Sequence, residues 1–180
     1  PPRSPSSPLP EAWCTMASSD RLSWGTRLSY GVGDFGLTLA WQVPAIFLLY
    51  FLTDVVRLSP ALAGTLIFAG LAADAVLDVA IGVAADRWRA RLGGYRRWLL
   101  VGGPLLAITM PLLFGVPAAS NAAVVGWVLA TQLAFRLAYS MAAIPYGALT
   151  SALAPESAER GLLVGVRLTA ATIAALAAAV

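Results

Sequence analysis

Thirty-eight consecutive residues, 98–135, carry no charge, and this run limits the folds open to the chain more than any other feature. Spanning the hydrocarbon core of a bilayer takes roughly 20 apolar residues, so the run is long enough for nearly two crossings. Two more uncharged runs, 35–53 and 137–155, are 19 residues each. Composition agrees: apolar residues make up 59% before glycine is counted, and charged residues 12%. Soluble globular chains average about 45–50% apolar with glycine included and about 25% charged. A soluble chain of this length needs more polar surface than that to cover its core. The expectation is an all-α membrane protein with several crossings.

The same arithmetic excludes several kinds of chemistry. There is no His, and all 12 basic residues are Arg. Nucleophilic catalysis with a His base is therefore impossible, and any chemistry must run on carboxylates, guanidiniums and hydroxyls. The single Cys14 cannot form an internal disulfide, and no Cys/His cluster could make a zinc site. A net charge of +3, with no basic stripe outside one loop, leaves no footprint for nucleic acid. No organic cofactor is expected.

Residues 1–27 read as a disordered leader and polar entry. Within them, 1–15 are a Pro/Ser-rich tract that either binds a partner through its prolines or lies upstream of a true start at Met16. Residues 28–180 divide into five apolar spans at about 28–55, 60–85, 98–116, 122–144 and 161–180. Arg57-Leu58-Ser59-Pro60 reads as a tight turn, with Pro60 suited to open the second helix. Glycines 31, 33 and 36 and prolines 44, 104 and 111 are expected to break their helices. Gly161-x-x-x-Gly165 reads as a packing face, and Trp24 and Trp98 as interfacial anchors. The loop after the second span holds five Arg (87, 89, 91, 96, 97), while the loop after the third holds no charge. Basic residues concentrate in cytoplasmic loops, so this loop and the N-terminus are placed in the cytoplasm. A fifth span closing on Ala-Ala-Ala-Val reads as the end of a fragment.

Ionisable groups inside a membrane are costly and point to function. Five fall within the spans: Asp34, Asp74, Asp78, Arg136 and Arg167. Counted from each helix's cytoplasmic end they lie ~9, ~16, ~10, ~12 and ~9 Å deep, each good to ~5 Å. Four helices thus deliver charge to one slab. Asp74 and Asp78, four residues apart, project from one face of their helix. Carboxylates that close repel, so either one carries a proton or the two share a cation, and hard oxygen ligands suit Na⁺ or H⁺. Three Asp and two Arg leave one negative charge, room for one monovalent cation. A structural ion-pair network with Arg136 and Arg167 as permanent partners would use the same residues. Asp54 reads as an interfacial carboxylate beside Arg57. Asp86 lies against its helix dipole and is expected to pair with arginines such as Arg87 and Arg96 in a cytoplasmic latch. Trp41, Gln42, Tyr139, Ser140 and Tyr146 are candidates to line a polar cavity.

The ordered motifs Tyr-Gly-Val-Gly-Asp-Phe-Gly (30–36), Tyr-Phe-Leu-Thr-Asp-Val (50–55), Asp-Ala-Val-Leu-Asp (74–78), Asp-Arg-x-Arg-x-Arg-x-Gly-x-Tyr-Arg (86–96), Ile-Pro-Tyr-Gly-Ala-Leu (144–149) and Glu-Arg…Arg (159–167) carry a resemblance. The chain resembles the glycoside–pentoside–hexuronide:cation symporters, the melibiose-carrier branch of the major facilitator superfamily, over about 28–168. The resemblance implies a twelve-helix carrier with two six-helix halves, of which this chain would be five helices of the N-terminal half. It implies a cation site at Asp74 and Asp78, joined by Ser140, and a sugar-facing Arg167 and Tyr139. Thr38, Ala143 and Gly147 stand where the melibiose carrier has two sugar-binding acids and a stacking aromatic. Leu77 replaces a polar neighbour of the cation site. Arg136 and Asp34 are candidates to supply what is missing.

The function expected is a cation-coupled (Na⁺ or H⁺) symporter for a sugar, glycoside or related solute in the cytoplasmic (inner) membrane, with no enzymatic activity. The cation site would be Asp74, Asp78 and Ser140, and the substrate side Asp34, Thr38, Tyr139, Arg136 and Arg167. Its partners would be the lipid bilayer, a small-molecule solute and the missing C-terminal half. The alternatives are a non-transporting scaffold or receptor on the same fold, an inactive fragment, or an intramembrane enzyme using the Asp pair.

Overall fold

The computed structural model describes residues 23–88, 95–117, 120–153 and 157–179. They form helices α1 (Trp24–Tyr50), α2 (Pro60–Trp88), α3 (Tyr95–Phe114), α4 (Asn121–Leu153) and α5 (Ser157–Ala179), with α1 extended by a π-helical turn, Phe51–Val55. All five are long and apolar enough to cross a membrane. The leader tract 1–22 lies outside the described residues.

Local chemistry sets the ends. The Ser23 hydroxyl accepts from the Thr26 N–H at 3.2 Å, so α1 starts before the expected residue 28, and 24–27 are helical. At the far end Arg57 takes a left-handed φ of 63°, and the Leu58 N–H reaches back to the Leu52 carbonyl at 2.9 Å. Pro60 then opens α2 from the expected turn, where its missing N–H leaves no intrahelical bond unmade.

Three expectations are corrected. Neither α1 nor α3 breaks at its glycines and prolines; each runs unbroken through them. Two glycines of the spans serve close approach instead. A Cβ on Gly31 would meet Val166 of α5 at 3.0 Å, and one on Gly102 would meet the Ala142 backbone nitrogen of α4 at 2.9 Å. Likewise α4 does not stop before Pro145 but carries that buried proline through to Leu153. Finally, Gly161 and Gly165 have nothing within 4 Å of a built Cβ. Among the described residues no helix packs against them, and they line an apolar groove with Leu28, Val32 and Ile173.

The packing joins α1 to α5, and α4 to both α3 and α2. The main core, with Leu48, Leu52, Leu66, Leu113, Val128 and Phe135, lies where α1 to α4 meet. Trp98 is buried against Ile81 and Ala85 and is not an interfacial anchor, whereas Trp24 is 67% exposed. Large apolar side chains cover the outer faces of the helices, as a lipid-facing bundle requires.

Candidate functional site

Four of the five intramembrane charges form two ion pairs, each joining two parallel helices. Parallel helices in contact keep a constant residue offset, so side chains spaced four apart on each meet as rungs.

The first pair joins α1 to α5. Arg167 donates from Nε and Nη2 to Asp34 Oδ1 at 3.0 and 2.7 Å, and from Nη1 to the Thr150 hydroxyl of α4 at 3.0 Å. Tyr30, one turn before Asp34, places its phenol oxygen 2.8 Å from the same Thr150 hydroxyl. Its ring stacks on Tyr146 with centroids 4.4 Å apart, and each phenol donates to the other residue's backbone carbonyl. The Arg167 guanidinium lies over both rings, 5.6 Å from Tyr30 and 5.3 Å from Tyr146. Toward the N-terminal ends, Arg27 and Glu159 repeat the α1–α5 link at 3.0 Å. A Cβ on Gly33 would meet the Tyr146 hydroxyl at 2.8 Å, so that glycine leaves the phenol its place.

The second pair joins α2 to α4, and here three rungs follow one another: Gly70 with Gln132, Asp74 with Arg136, and Asp78 with Ser140. Arg136 Nη1 stands 3.1 Å from Asp74 Oδ2. The Ser140 hydroxyl donates to Asp78 Oδ1 at 2.6 Å. No ion pair among the described residues reaches Asp78, which is exposed. The single uncompensated charge in the slab therefore sits on Asp78. Several buried atoms around Asp74 lack a partner: Asp74 Oδ1, Arg136 Nε and both amide atoms of Gln132. Asp74 thus keeps one buried oxygen without a partner, and Asp78 has the Ser140 hydroxyl but no counter-ion among the described residues.

Trp41 and Tyr139 link the two pairs. Their ring centroids are 4.9 Å apart, and the Arg136 guanidinium lies 5.3 Å from the Trp41 ring. A cavity of about 190 Å³ opens between Trp41, Gln132 and Arg136, with apolar walls from Leu48, Ile67 and Leu113.

The arrangement brings together Asp34 with Arg167 and Asp78 with Ser140, and holds Tyr139 beside Trp41. Arg136, expected either on the substrate side or as a structural ion-pair partner, stands against Asp74. Thr38 is half-buried one turn beyond Asp34. Asp54 accepts from its neighbour Thr53 at 2.7 Å. Asp86 and Arg87 are exposed at the end of α2, whereas Arg89, Arg91 and the side chain of Arg96 lie outside the described part, as does that much of the latch. Tyr30, Thr150 and Gln132 are site residues the sequence reading missed. Their signal was present: Gln132, Arg136 and Ser140 form an i, i+4, i+8 polar stripe, as do Tyr30, Asp34 and Thr38, and Thr150 lies four residues past Tyr146.

Comparison with known proteins gives this geometry its context. A family model described as MFS/sugar transport protein matches residues 29–180. An uncharacterized symporter of Synechocystis is 34% identical over 149 residues, covering 79% of this chain and 27% of that protein. The glucuronide carrier protein homolog of Escherichia coli is 32% identical over 156 residues, 86% of this chain and 34% of its own. The isoprimeverose transporter of Lactiplantibacillus pentosus is 28% identical over 161 residues, 89% of this chain and 34% of its own. The chain thus spans about a third of the length of the curated relatives it matches. With five apolar spans, charges paired between helices and this match over nearly its whole described length, the chain is an integral membrane protein of the MFS/sugar transport protein family, resembling its glycoside–pentoside–hexuronide symporters.

Proposed function

We propose that this chain provides five N-terminal helices of a cation-coupled symporter for a sugar, glycoside or related solute. In this reading the remaining helices of a twelve-helix carrier supply the opposite wall, and the protein works by alternating access without covalent chemistry. The N-terminus and the arginine-rich loop after α2 lie on the cytoplasmic side of the inner membrane. The observation that carries the reading is the uncompensated Asp78 carboxylate, hydrogen-bonded to Ser140, one helical turn from the unpartnered Oδ1 of Asp74. A charge left unbalanced within a span invites a mobile counter-ion, Na⁺ or H⁺.

The coupling follows from electrostatics. With the ion absent, Asp74 is held by Arg136 and Asp78 is bare, so the net negative charge disfavours closing this region off from water. An ion at Asp78 and Asp74 Oδ1 neutralises the slab, and the closed intermediate between the outward and inward states becomes accessible. On the other side, Arg167 and Asp34 present a guanidinium, a carboxylate and two phenol rings to a hydroxylated solute. The relatives named as a glucuronide carrier homolog and an isoprimeverose transporter support that solute class.

The test is uptake of radiolabelled glycosides into membrane vesicles bearing the full-length carrier, with Na⁺ and H⁺ gradients imposed separately. Asp78→Asn is expected to abolish gradient-driven uptake while leaving solute exchange intact. Asp74→Asn alone leaves Arg136 unpaired, so it is read beside the Asp74→Asn/Arg136→Gln double variant. A purely structural pair predicts that the double variant regains gradient-driven uptake; a coupling site predicts that it does not. Recovery in the double variant, or normal coupling in Asp78→Asn, would sink the reading.

A further inference from the structure

Gln132 is a costly residue as it stands. It is 1% exposed within α4, and neither its amide nitrogen nor its amide oxygen has a hydrogen-bond partner. Burying such a group without partners is unfavourable, and native buried polar atoms are nearly all paired. The neighbouring Arg136 adds a buried, unpartnered Nε, while its Nη1 is taken by Asp74 Oδ2 at 3.1 Å. Space has been kept for these atoms: a Cβ on Gly70 would meet Gln132 Cδ at 2.6 Å and Arg136 Nε at 3.0 Å. Gln132 and Arg136 border the cavity of about 190 Å³ that Trp41 also lines.

The orphaned atoms define what would fit. Gln132 offers an amide donor and a carbonyl acceptor side by side, and Arg136 offers its Nε–H. An anion would use the donors and leave the Gln132 oxygen orphaned. A cation would use that oxygen but face the guanidinium. Hydroxyls both donate and accept, so two adjacent ones complete the amide and a third group accepts from Arg136. The other walls, Trp41, Leu48, Ile67 and Leu113, suit the C–H surface of a ring. The cavity is smaller than the ~300–1,000 Å³ usual for drug-sized ligands, a size for one ring rather than two.

We propose that Gln132 and Arg136, in the space left by Gly70 and beside Trp41, form a subsite that reads adjacent hydroxyls on one pyranose ring of the transported solute. The subsite lies one rung beyond the Asp74–Arg136 pair, away from Asp78 and from the Asp34–Arg167 group. It rests on the symporter reading for the identity of its ligand. Because Arg136 touches both Asp74 and the subsite, an occupied subsite would hold the guanidinium that neutralises the cation-side carboxylate.

The probes are methyl β-D-glucopyranoside, methyl β-D-xylopyranoside and their monodeoxy derivatives, titrated by calorimetry against the full-length carrier in detergent. One parent glycoside is expected to bind, and one of its monodeoxy derivatives to bind about tenfold more weakly, the loss of a hydroxyl contact. Gln132→Met, which keeps the side-chain shape, is expected to weaken the parent by a similar factor. It should cause no further loss with that same deoxy derivative, because the two changes remove one interaction. Gly70→Ala, which crowds the amide, is expected to weaken binding as well. The proposal is overturned if neither parent binds, or if every deoxy derivative binds as well as its parent. It is equally overturned if Gln132→Met binds the parent normally, which would leave the amide bridged by water alone. Should Gln132→Met fail to fold, the deoxy series on the unaltered protein decides. Gradient-driven uptake that depends on Asp78 but not on Gln132 would remove the subsite and leave the symporter reading standing.

Discussion

A guanidinium inside a membrane is costly unless its donors are engaged, and Arg167 engages its own on Asp34 and Thr150. Removing one member of a buried pair strands the other charge, at a cost of about 3–5 kcal/mol. Because the Arg167 side chain is 26% exposed, Arg167→Gln is expected to lower unfolding stability in micelles by less than that full amount, and Asp34→Asn added to it to recover most of the loss. A double variant no more stable than Arg167→Gln would mean that Asp34 does not hold the arginine. Gln132 has the opposite sign. With no glycoside present, Gln132→Met removes two orphaned polar atoms and should raise stability by about 1 kcal/mol. The charges themselves were legible in the sequence, because any charge within an apolar run is conspicuous. Their partners were only partly so. Which face of α4 turns toward α2 depends on the rotation of both helices, which neither stretch of sequence encodes alone. The sequence accordingly leaves Arg136 open between the substrate side and an ion pair, and only the packing shows Asp74 as its neighbour. Gln132 went unnoticed because an uncharged amide does not stand out within an apolar run.

Between helices, glycine position separates contact from bystander. Gly102 and Gly103 are adjacent in α3, yet a Cβ on Gly102 would strike the α4 backbone at 2.9–3.1 Å, and one on Gly103 would meet nothing within 4 Å. Backbone cannot yield as a flexible side chain can, so Gly102→Ala should cost about 1–3 kcal/mol. Gly103→Ala should instead gain up to about 1 kcal/mol from helix propensity. Thermal unfolding of the two variants side by side checks the pair, and equal shifts would refute the assigned contact. The same distinction explains why α1 and α3 were read from the sequence as broken. Glycine weakens a helix in isolation, but packing and the absence of competing water keep the backbone bonded within a membrane. Sequence alone shows the residue and not the neighbour that needs its small size. The length of α4 was obscured similarly: Pro145 is a stop signal in a soluble helix, yet Tyr146 and Thr150 beyond it are held by Tyr30 and Arg167.

At the scale of the whole molecule, the two ion pairs sit in different helix groups, one within α1 and α5 and the other within α2 and α4. The groups meet through polar and aromatic contacts: the Tyr30–Tyr146 stack, Arg167 to Thr150, and Arg136 over Trp41. The long apolar spans foretold a membrane bundle, but they do not say which outer face meets lipid and which meets water or the rest of a carrier. One residue does. Asp78 is exposed, whereas Val76, ~160° around the same helix, is 70% exposed and apolar. A carboxylate with no counter-ion among the described residues is not stable against hydrocarbon, so the Asp78 face of α2 must border water or protein, whereas the apolar Val76 face can meet lipid. In a Cys14→Ser background, Asp78→Cys in native membranes is expected to react with a hydrophilic thiol reagent at least about tenfold faster than Val76→Cys, since the reactive thiolate forms only where water reaches the sulfur. An added substrate that closes the water path should slow the first reaction and leave the second unchanged. Equal rates at the two positions would place Asp78 in lipid, and the uncompensated charge would then have no route by which a coupling ion could arrive.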